Sequence, residues 1–540
     1  MPTLDWIGKK AVENHHKEVP YRLLRCNPEL SAGDPGSGNL LVQGDNLEAL
    51  KALLPYYGGK VKCIYIDPPY NTGNENWVYN DAVNSPEMRQ WLGDVVGRDD
   101  LSRHDKWLCM MYPRLALLRD FLTEDGVVFI SIDDNEVQNL RAIMDEIFGE
   151  ENFIATVIWH KMDSPKNSAV HLSEDHDYIL LYARNAQVWR PNPLPRTEEM
   201  NKRYKNPDGD PRGPWLLSDL AARNFYAAGR YSITTPSGRV IDGPPSGSYW
   251  RVSKEKLAEL DADNRVWWGK SQSNRPGIKR FLCEVREGVV PQTLWPWREV
   301  GSTRHSKQEL SSILDVGTSQ DLFITPKPTR LIERIITIAT GPGDFVMDSF
   351  AGSGTTAHAV LNANAQSAKN EPIDARHFIL IEMEKSICDN VTAERIKRII
   401  GGYTNSKGEA VPGLGGGFRY CELGETLFEA DGAIRSSVSF SDLAHHIFFT
   451  EMREPLPEEV AGTSPLLGVG RGTAVYLLYN GILKDKNPKG GNVLTMETLR
   501  LLPPHHGPRI VYGTACTLGA STLRRHGVIF RQIPYEVKAT

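Results

Sequence analysis

The run Val61–Asp67, VKCIYID, constrains this chain more than any other stretch. It is almost continuously apolar, and a strand that turns apolar residues to both faces has to be covered on both, as in a parallel sheet sandwiched between helices. It then stops in an acid, two prolines and a tyrosine. Open α/β sheets bind ligands beyond the carboxyl ends of their strands, so a strand that ends in Asp67-Pro68-Pro69-Tyr70 marks a site.

The flanking sequence keeps an α/β rhythm. NLLVQGD predicts a strand closing on Gly44 and Asp45, and Asn46 the cap of a helix whose Leu47, Leu50, Leu53 and Leu54 recur at helical spacing until Pro55. MYPRLALLRDFL predicts a helix, and GVVFISID and HDYILLYAR predict strands. Between about Asn185 and Leu310 the rhythm lapses into Gly, Pro, Arg and Trp, with SGSYWRVSKEKLAEL the clearest ordered piece. It returns from Leu322 to Arg398 with a helix in TPKPTRLIERIITIAT, a strand in GDFVMDSF, a glycine turn opening a helix in AGSGTTAHAVLNANA, and a strand in HFILIEME. Beyond the Gly-rich VPGLGGG, the segments HIFFTE, AVYLLYNG, RIVYGTAC and GVIFRQIPYEV predict the strands of a small α/β domain.

Composition narrows the classes. The seven cysteines of the 540 residues are scattered with no C-x-x-C pair, which suggests neither a zinc site nor a disulfide framework and fits a reducing cytoplasm. MPTLDWIGKK has no apolar signal core, and no stretch approaches the roughly 18 apolar residues of a spanning helix. The net charge of −5 hides a local asymmetry. Residues 185–310 carry 21 Lys and Arg against 14 Asp and Glu, together with seven of the twelve tryptophans. Basic charge interleaved with large rings suits a surface that tracks phosphates and stacks on bases. Tryptophans in a core under a solvated charged face would produce the same composition.

Two constellations carry chemistry. In DSFAGSGTTAH, Asp348–His358, the glycines Gly352 and Gly354 permit a tight turn, and the helix after it offers unpaired N–H groups to an anion. A phosphate-binding P-loop would need Lys after its last glycine; Thr355 stands there, which disfavours ATP. Glu382 ends the next strand, where an acid can accept hydrogen bonds from ribose hydroxyls, so a nucleoside ligand is expected. In Asp67-Pro68-Pro69-Tyr70 the prolines fix φ and lack N–H groups, which leaves carbonyls without local donors. The Asp67 carboxylate and the Pro68 carbonyl could together accept both hydrogens of an exocyclic amine, drawing its lone pair out of ring conjugation toward an electrophile. Tyr70 would stack on a base flipped from the duplex. The histidine pairs His15/His16, His445/His446 and His505/His506 lack ligand spacing and read as structural, and Asp133 and Asp134 read as a buttress or cap at a strand end.

These motifs together resemble the S-adenosylmethionine-dependent amino-methyltransferases of DNA, in which D-P-P-Y is catalytic and F-x-G-x-G is the cofactor turn. The order, catalytic motif first and FAGSG last, resembles the permuted β class. GDNLEALKALLPYYGGKVKCIYIDPPYNTGNE, GVVFISIDDNE, HDYILLYAR, PQTLW and FITPKPTRLIERII are similar to the Mod subunits of type III restriction-modification systems over roughly Leu40 to Arg398. The resemblance implies adenine N6 as target, since cytosine-N4 enzymes usually carry Ser at the place of Asp67. It implies that Asp67, Pro68, Pro69 and Tyr70 hold the adenine, and that Phe350, Ala351, Gly352, Ser353, Gly354 and Thr355 lie against S-adenosylmethionine. Glu382 would then bind the ribose and Asp45 the cofactor adenine, with Lys327 and Asp348 near its methionine end.

The expected fold is α/β: a Rossmann-like methyltransferase sheet with circularly permuted motif order, interrupted by a target-recognition insert, plus a small C-terminal α/β domain. The expected limits are an N-terminal extension at 1–38, the catalytic half at 39–184, the insert at 185–320, the cofactor half at 321–405 and the C-terminal domain at 413–540. Arg265, Trp267, Trp268, Lys279 and Arg280 are the expected DNA contacts. Expected partners are double-stranded DNA, a second copy of the chain and a restriction nuclease-translocase; the transfer itself requires no metal. Two other readings stay open: methylation of an amine in RNA or of a glutamine in protein, and service chiefly as the DNA-reading and assembly subunit of a larger complex.

Overall fold

The computed structural model describes residues 3–73, 93, 101–315, 325–368, 374–457, 464–479, 482–483, 492–533 and 537. Asn74 and Glu75, Phe323 and Ile324, and Pro534 to Glu536, each part of a stretch quoted above, lie outside the described residues. The chain divides into two compact units, 193–291 and the remainder.

The larger unit begins with β1 (Arg22–Gly33), β2 (Leu40–Gln43), α1 (Asn46–Tyr57), β3 (Val61–Ile66), α2 (Arg103–Phe121), β4 (Leu122–Ile132), α3 (Val137–Phe148), β5 (Phe153–His160) and β6 (His176–Ala183). The smaller unit supplies β7 (Trp215–Asp219), α4 (Lys254–Ala262), β8 (Val266–Trp267) and β9 (Gly277–Phe281). The larger unit resumes with β10 (Leu294–Pro296), α5 (Thr303–Leu314), α6 (Thr329–Ala339), β11 (Phe345–Asp348), α7 (Thr355–Ala368), β12 (His377–Glu382), α8 (Glu394–Gly401) and β13 (Gly417–Thr426). It closes with α9 (Phe440–Met452), β14 (Leu466–Gly470), β15 (Thr473–Leu477), β16 (Arg509–Gly513) and β17 (Val528–Gln532).

Ten strands form one sheet in the order β1-β13-β2-β12-β11-β3-β4-β6-β5-β10. From β13 to β4 every neighbour is parallel, and β6 and β1 run against their partners. The apolar runs read from the sequence account for this: β3 buries all of its residues but Lys62, between helices that cover both faces. The core joins β2, β3 and β4 to α1, α2 and α3. Pro113 lies inside α2, where a proline costs about 3 kcal/mol. Trp107, Leu108, Leu115, Leu118 and Phe121 are buried on the same helix at roughly 1.5–3 kcal/mol each, so packing outweighs the break.

Several expectations are corrected. Asp45, not Asn46, caps α1, its Oδ1 accepting the N–H groups of Leu47 (2.9 Å) and Glu48 (3.1 Å), and the helix runs through Pro55 to Tyr57. HIFFTE is helical, not a strand: Ser439 and Asp442 form a capping box, and Leu443, Ala444, Ile447 and Phe448 bury one helical face. The smaller unit is tighter than the expected 185–320, because β10 pairs with β5 and therefore belongs to the large sheet. β1 and β13 are likewise strands of that sheet rather than parts of an appended extension and an appended domain. C-terminal to β13, the strands β14-β15-β16-β17 form a separate four-stranded sheet with parallel β15, β16 and β17. Against the expectation of no disulfide, Cys26 and Cys421 face each other in β1 and β13 and are joined. They are 395 residues apart in sequence, a proximity only the sheet creates.

The smaller unit holds a three-stranded antiparallel sheet, β8-β9-β7, and two short antiparallel pairs, 233–234 with 240–241 and 221–222 with 249–250, with Leu220, Ile233, Trp250, Leu257, Val266 and Trp268 as its core. No helix among the described residues is long and apolar enough to cross a membrane.

Candidate active site

β2, β12, β11 and β3 are consecutive parallel neighbours, and an acid stands at the carboxyl end of each: Asp45, Glu382, Asp348 and Asp67. Parallel strands lie about 4.8 Å apart, so motifs some 280 residues apart in sequence emerge side by side from β3 and β11.

Asp67 follows β3 with its side chain 16 % exposed. The Lys327 ammonium donates to its Oδ2 at 2.5 Å. Its other oxygen, Oδ1, is buried and accepts no hydrogen bond from any described residue, and the Tyr70 hydroxyl is buried in the same condition. Burial raises the Asp67 pKa, opposed first by the Lys327 charge and then by the nearby Tyr70 hydroxyl, although that hydroxyl is not in hydrogen-bonding geometry. The Pro69 carbonyl accepts the Trp107 indole N–H at 2.6 Å, which pins the loop to α2, whereas no described residue donates to the Pro68 carbonyl.

Sequence reasoning missed the clamp behind this loop. Asn71 adopts a left-handed φ of 57° and donates its amide to the Glu136 carboxylate and to the Arg103 carbonyl (3.2 Å). Arg103 returns a bond to the Asn71 carbonyl at 3.0 Å. Glu136 is fully buried and also bonds His104 Nδ1 (2.6 Å) and Asn139 Nδ2 (2.7 Å). The visible signal was Asn after D-P-P-Y, a residue that tolerates left-handed backbone, together with Glu at the end of GVVFISIDDNE. Asp133 and Asp134 do cap and buttress: Asp133 accepts the Asn135 N–H at 2.9 Å, and Asp134 the Tyr178 hydroxyl at 2.8 Å.

The glycine turn is built from below. Gly352 and Gly354 have φ of 51° and 74°, and a Cβ on Gly354 would press on Thr392 at 3.2 Å. Glu382 accepts the Gly352 N–H at 2.8 Å and the Glu384 N–H at 2.9 Å, and Thr392 donates to the Gly352 carbonyl. Buried Asp348 accepts the Phe350 N–H (3.0 Å) and the Thr356 hydroxyl (2.6 Å), and burial pushes its pKa up to about 7. Arg395, 1 % exposed, reaches Ser353 Oγ (3.2 Å), Thr355 Oγ1 (2.9 Å) and His358 Nδ1 (3.1 Å) from beneath.

Ala351 to Thr355 are therefore buried and form the floor of the turn. Only Phe350 remains partly open. At the ends of the strands β12 and β2, Met383 is 40 % exposed and the Asp45 carboxylate, held by Arg114 at 3.0 Å, is 35 % exposed. The Lys327 ammonium is engaged by Asp67, and its carbonyl accepts the Thr355 hydroxyl of this turn at 3.2 Å.

In the smaller unit most of the expected DNA contacts are committed to structure. Lys279 is buried and salt-bridged to Asp208 and Asp210. Trp268 is buried and donates to Asp261 at 2.6 Å, Trp267 packs on Trp215 with centroids 5.3 Å apart, and Arg265 pairs with Asp263 and Glu284. Arg280 alone of the five is exposed. The open ring-and-cation cluster is elsewhere, in Arg223, Phe225 (77 % exposed), Tyr226 (40 %) and Arg230, whose guanidinium lies 4.8 Å from the Tyr249 ring centroid.

Residues 61–394 match the family described as DNA methylase. The chain is 35 % identical over 409 residues to the Mod subunit of the type III restriction-modification enzyme StyLTI of Salmonella typhimurium, an alignment covering 73 % of this chain and 60 % of that protein. It is 31 % identical to the EcoPI Mod subunit of Escherichia phage P1, over 71 % of this chain and 64 % of the relative. Against the type II methyltransferase M1.MboII of Moraxella bovis it is 65 % identical over 331 residues, which cover 60 % of this chain and 90 % of that one. The chain thus spans about two thirds or less of the length of the two Mod relatives.

Proposed function

The chain belongs to the DNA methylase family, and from that premise we propose that it transfers a methyl group from S-adenosylmethionine to the N6 amine of an adenine flipped out of duplex DNA. The observation that carries this reading is the Asp67 Oδ1 atom, a buried acceptor without a partner among the described residues, beside the Pro68 carbonyl and next to the turn that leaves β11. A buried carboxylate oxygen left unpaired costs about 1–3 kcal/mol or more, a cost that an N–H donor from a ligand removes.

The residues at the strand ends fit the cofactor. Phe350 and Met383 offer apolar surface to a flat base, Asp45 can accept its amine, and Glu382 at the β12 end, 1 % exposed and bonded to the Gly352 and Glu384 N–H groups, would meet the ribose hydroxyls only by exchanging one of those bonds. The bound cofactor supplies a sulfonium methyl as electrophile. In this reading Asp67 Oδ1 and the Pro68 carbonyl take the two amine hydrogens, so the nitrogen lone pair points out of the base plane. Tyr70 holds the ring by stacking, and the clamp of Asn71 and Glu136 keeps the loop in register with the turn. Asp67 stands at the place where cytosine-N4 enzymes usually carry Ser, which favours adenine over cytosine.

The ring-and-cation cluster of Arg223, Phe225, Tyr226 and Arg230 is the proposed DNA contact of the smaller unit, with Arg280 added from the sequence reading. Similarity to proteins named as Mod subunits supports a further proposal: the chain is a modification subunit of the bacterial cytoplasm, working as a homodimer with a restriction nuclease-translocase.

The test is to incubate the protein with S-adenosylmethionine and unmethylated genomic DNA, digest to nucleosides, and analyse by mass spectrometry with mapping of modified sites. N6-methyladenine in one short motif supports the reading. N4-methylcytosine would overturn the target base, and methyl groups found only in RNA or protein would overturn DNA as substrate.

A further inference from the structure

Resting on the amine-methylation reading above, we propose that Lys327 is the counter-ion that keeps Asp67 ionised, bonding one carboxylate oxygen and leaving the other for the target amine. Its ammonium donates to Asp67 Oδ2 at 2.5 Å, and the two side chains are 9 % and 16 % exposed. The same nitrogen lies 5.0 Å from the Tyr70 ring centroid and 6.0 Å from that of Trp159. The ammonium is thus held by the Tyr70 ring as well as by Asp67 Oδ2, and Asp67 Oδ1 is left for the substrate amine.

The main chain at this point is fixed. Pro326 and Pro328 flank Lys327; the Pro326 carbonyl accepts the Ser306 hydroxyl at 2.6 Å, and the Lys327 carbonyl accepts the Thr355 hydroxyl at 3.2 Å. Only the four-carbon side chain is left to move. Through Thr355 the backbone of Lys327 touches the first residue of α7, so one residue joins the glycine turn of β11 to the carboxylate of β3.

Among the described residues, the remaining groups that face Asp67 do not supply a positive charge. They are Asp177 of β6, itself bridged to Lys161 at 2.6 Å, Asp348 of β11, and the hydroxyls of Tyr65 and Tyr70. The bond to Lys327 is the one salt bridge that Asp67 makes among the described residues. An ionised carboxylate only accepts hydrogen bonds, whereas a protonated one carries a donor that competes with the amine. Without the ammonium, burial and two neighbouring acids would push Asp67 further toward its protonated form, and the amine would lose its acceptor. Lys327 is thus a positioning residue that acts through Asp67.

The experiment is the pH dependence of methyl transfer at saturating cofactor and DNA, for wild type, Lys327→Arg and Lys327→Met, each also in an Asp348→Asn background to remove the second titrating carboxyl. The acid limb of kcat should move up by at least about one pH unit in Lys327→Met, a rate loss of about tenfold at the foot of the limb, and recover toward high pH. Lys327→Arg should keep the wild-type limb, and the shift should persist in the Asp348→Asn background. If Met is not tolerated in this buried place, Lys327→Gln, which keeps a donor but no charge, gives the same discrimination. A uniformly lower kcat with an unmoved limb would overturn the proposal and leave Lys327 a structural or cofactor contact. A wild type that methylates no amine on any nucleic acid would overturn the underlying reading, and this one with it.

Discussion

The Glu136 carboxylate accepts the side-chain amide of Asn71 and holds that residue at a left-handed φ of 57°, one position after Tyr70. The D-P-P-Y loop is thus shaped from α3's side of the sheet, by a group too deep to meet any substrate. In Glu136→Gln, an amide would face the amides of Asn71 and Asn139, leaving buried donors unpaired at roughly 1–3 kcal/mol. Tm should fall by a few degrees, and methyl transfer by tenfold or more, with DNA affinity unchanged. Wild-type turnover in this variant, measured alongside a gel shift, would show that the clamp does not govern the loop.

Asp67→Ala removes the acceptor of the amine and leaves Lys327 as a buried ammonium without its salt bridge. Methyl transfer should fall by about 10³-fold or more, as when a group that acts in the transition state is deleted. Binding of target duplex, read by fluorescence anisotropy, should stay within a few-fold of wild type. A loss of binding as large as the loss of rate would move Asp67 from the reaction to DNA recognition.

Asp348 should make the protein less stable as pH rises. Its carboxyl titrates near 7 in the fold, raised by burial, against an ordinary value near 3.8 in the unfolded chain. Between those values the folded state binds the extra proton, so stability is highest below about pH 4 for this group and declines through about pH 7, by an amount on the order of 4 kcal/mol. Asp348→Asn cannot titrate. Its thermal unfolding should therefore depend less on pH across that window than that of wild type, and equal slopes would show that Asp348 ionises normally.

In the smaller unit, burial separates residues that composition had grouped. Phe225→Ala with Tyr226→Ala should weaken duplex binding by about tenfold or more, at roughly 1–3 kcal/mol per stacked ring, without changing Tm. Lys279→Ala should do the reverse. It leaves Asp208 without its cation and destabilises the unit by about 2 kcal/mol, less than the loss of a whole buried pair because Asp210 keeps Arg212 at 3.0 Å and Asp208 is partly exposed. If Lys279→Ala reduced DNA affinity with an unchanged Tm, Lys279 would be a phosphate contact after all.

Local sequence determined the elements and the chemistry of their ends. The apolar runs ending in Asp45, Asp67, Asp348 and Glu382 could be read as strands because both faces of a parallel strand need apolar cover, and the prolines and glycines beside them because φ limits are local. HIFFTE misled because aromatic content outweighed the capping box of Ser439 and Asp442 upstream of it.

Tertiary structure alone decided which ends meet. Strand order brings β3 beside β11, Cys26 opposite Cys421, and β1, β10 and β13 into the main sheet, through pairings between residues far apart in the chain. It also decided what each charge does. Lys327 and Lys279 are both lysines next to an aromatic or basic motif, yet each is bound to a carboxylate that sequence places 260 or about 70 residues away. The interaction of a charge depends on the groups within a few ångströms and on its distance from water, and neither is encoded in the residues beside it along the chain.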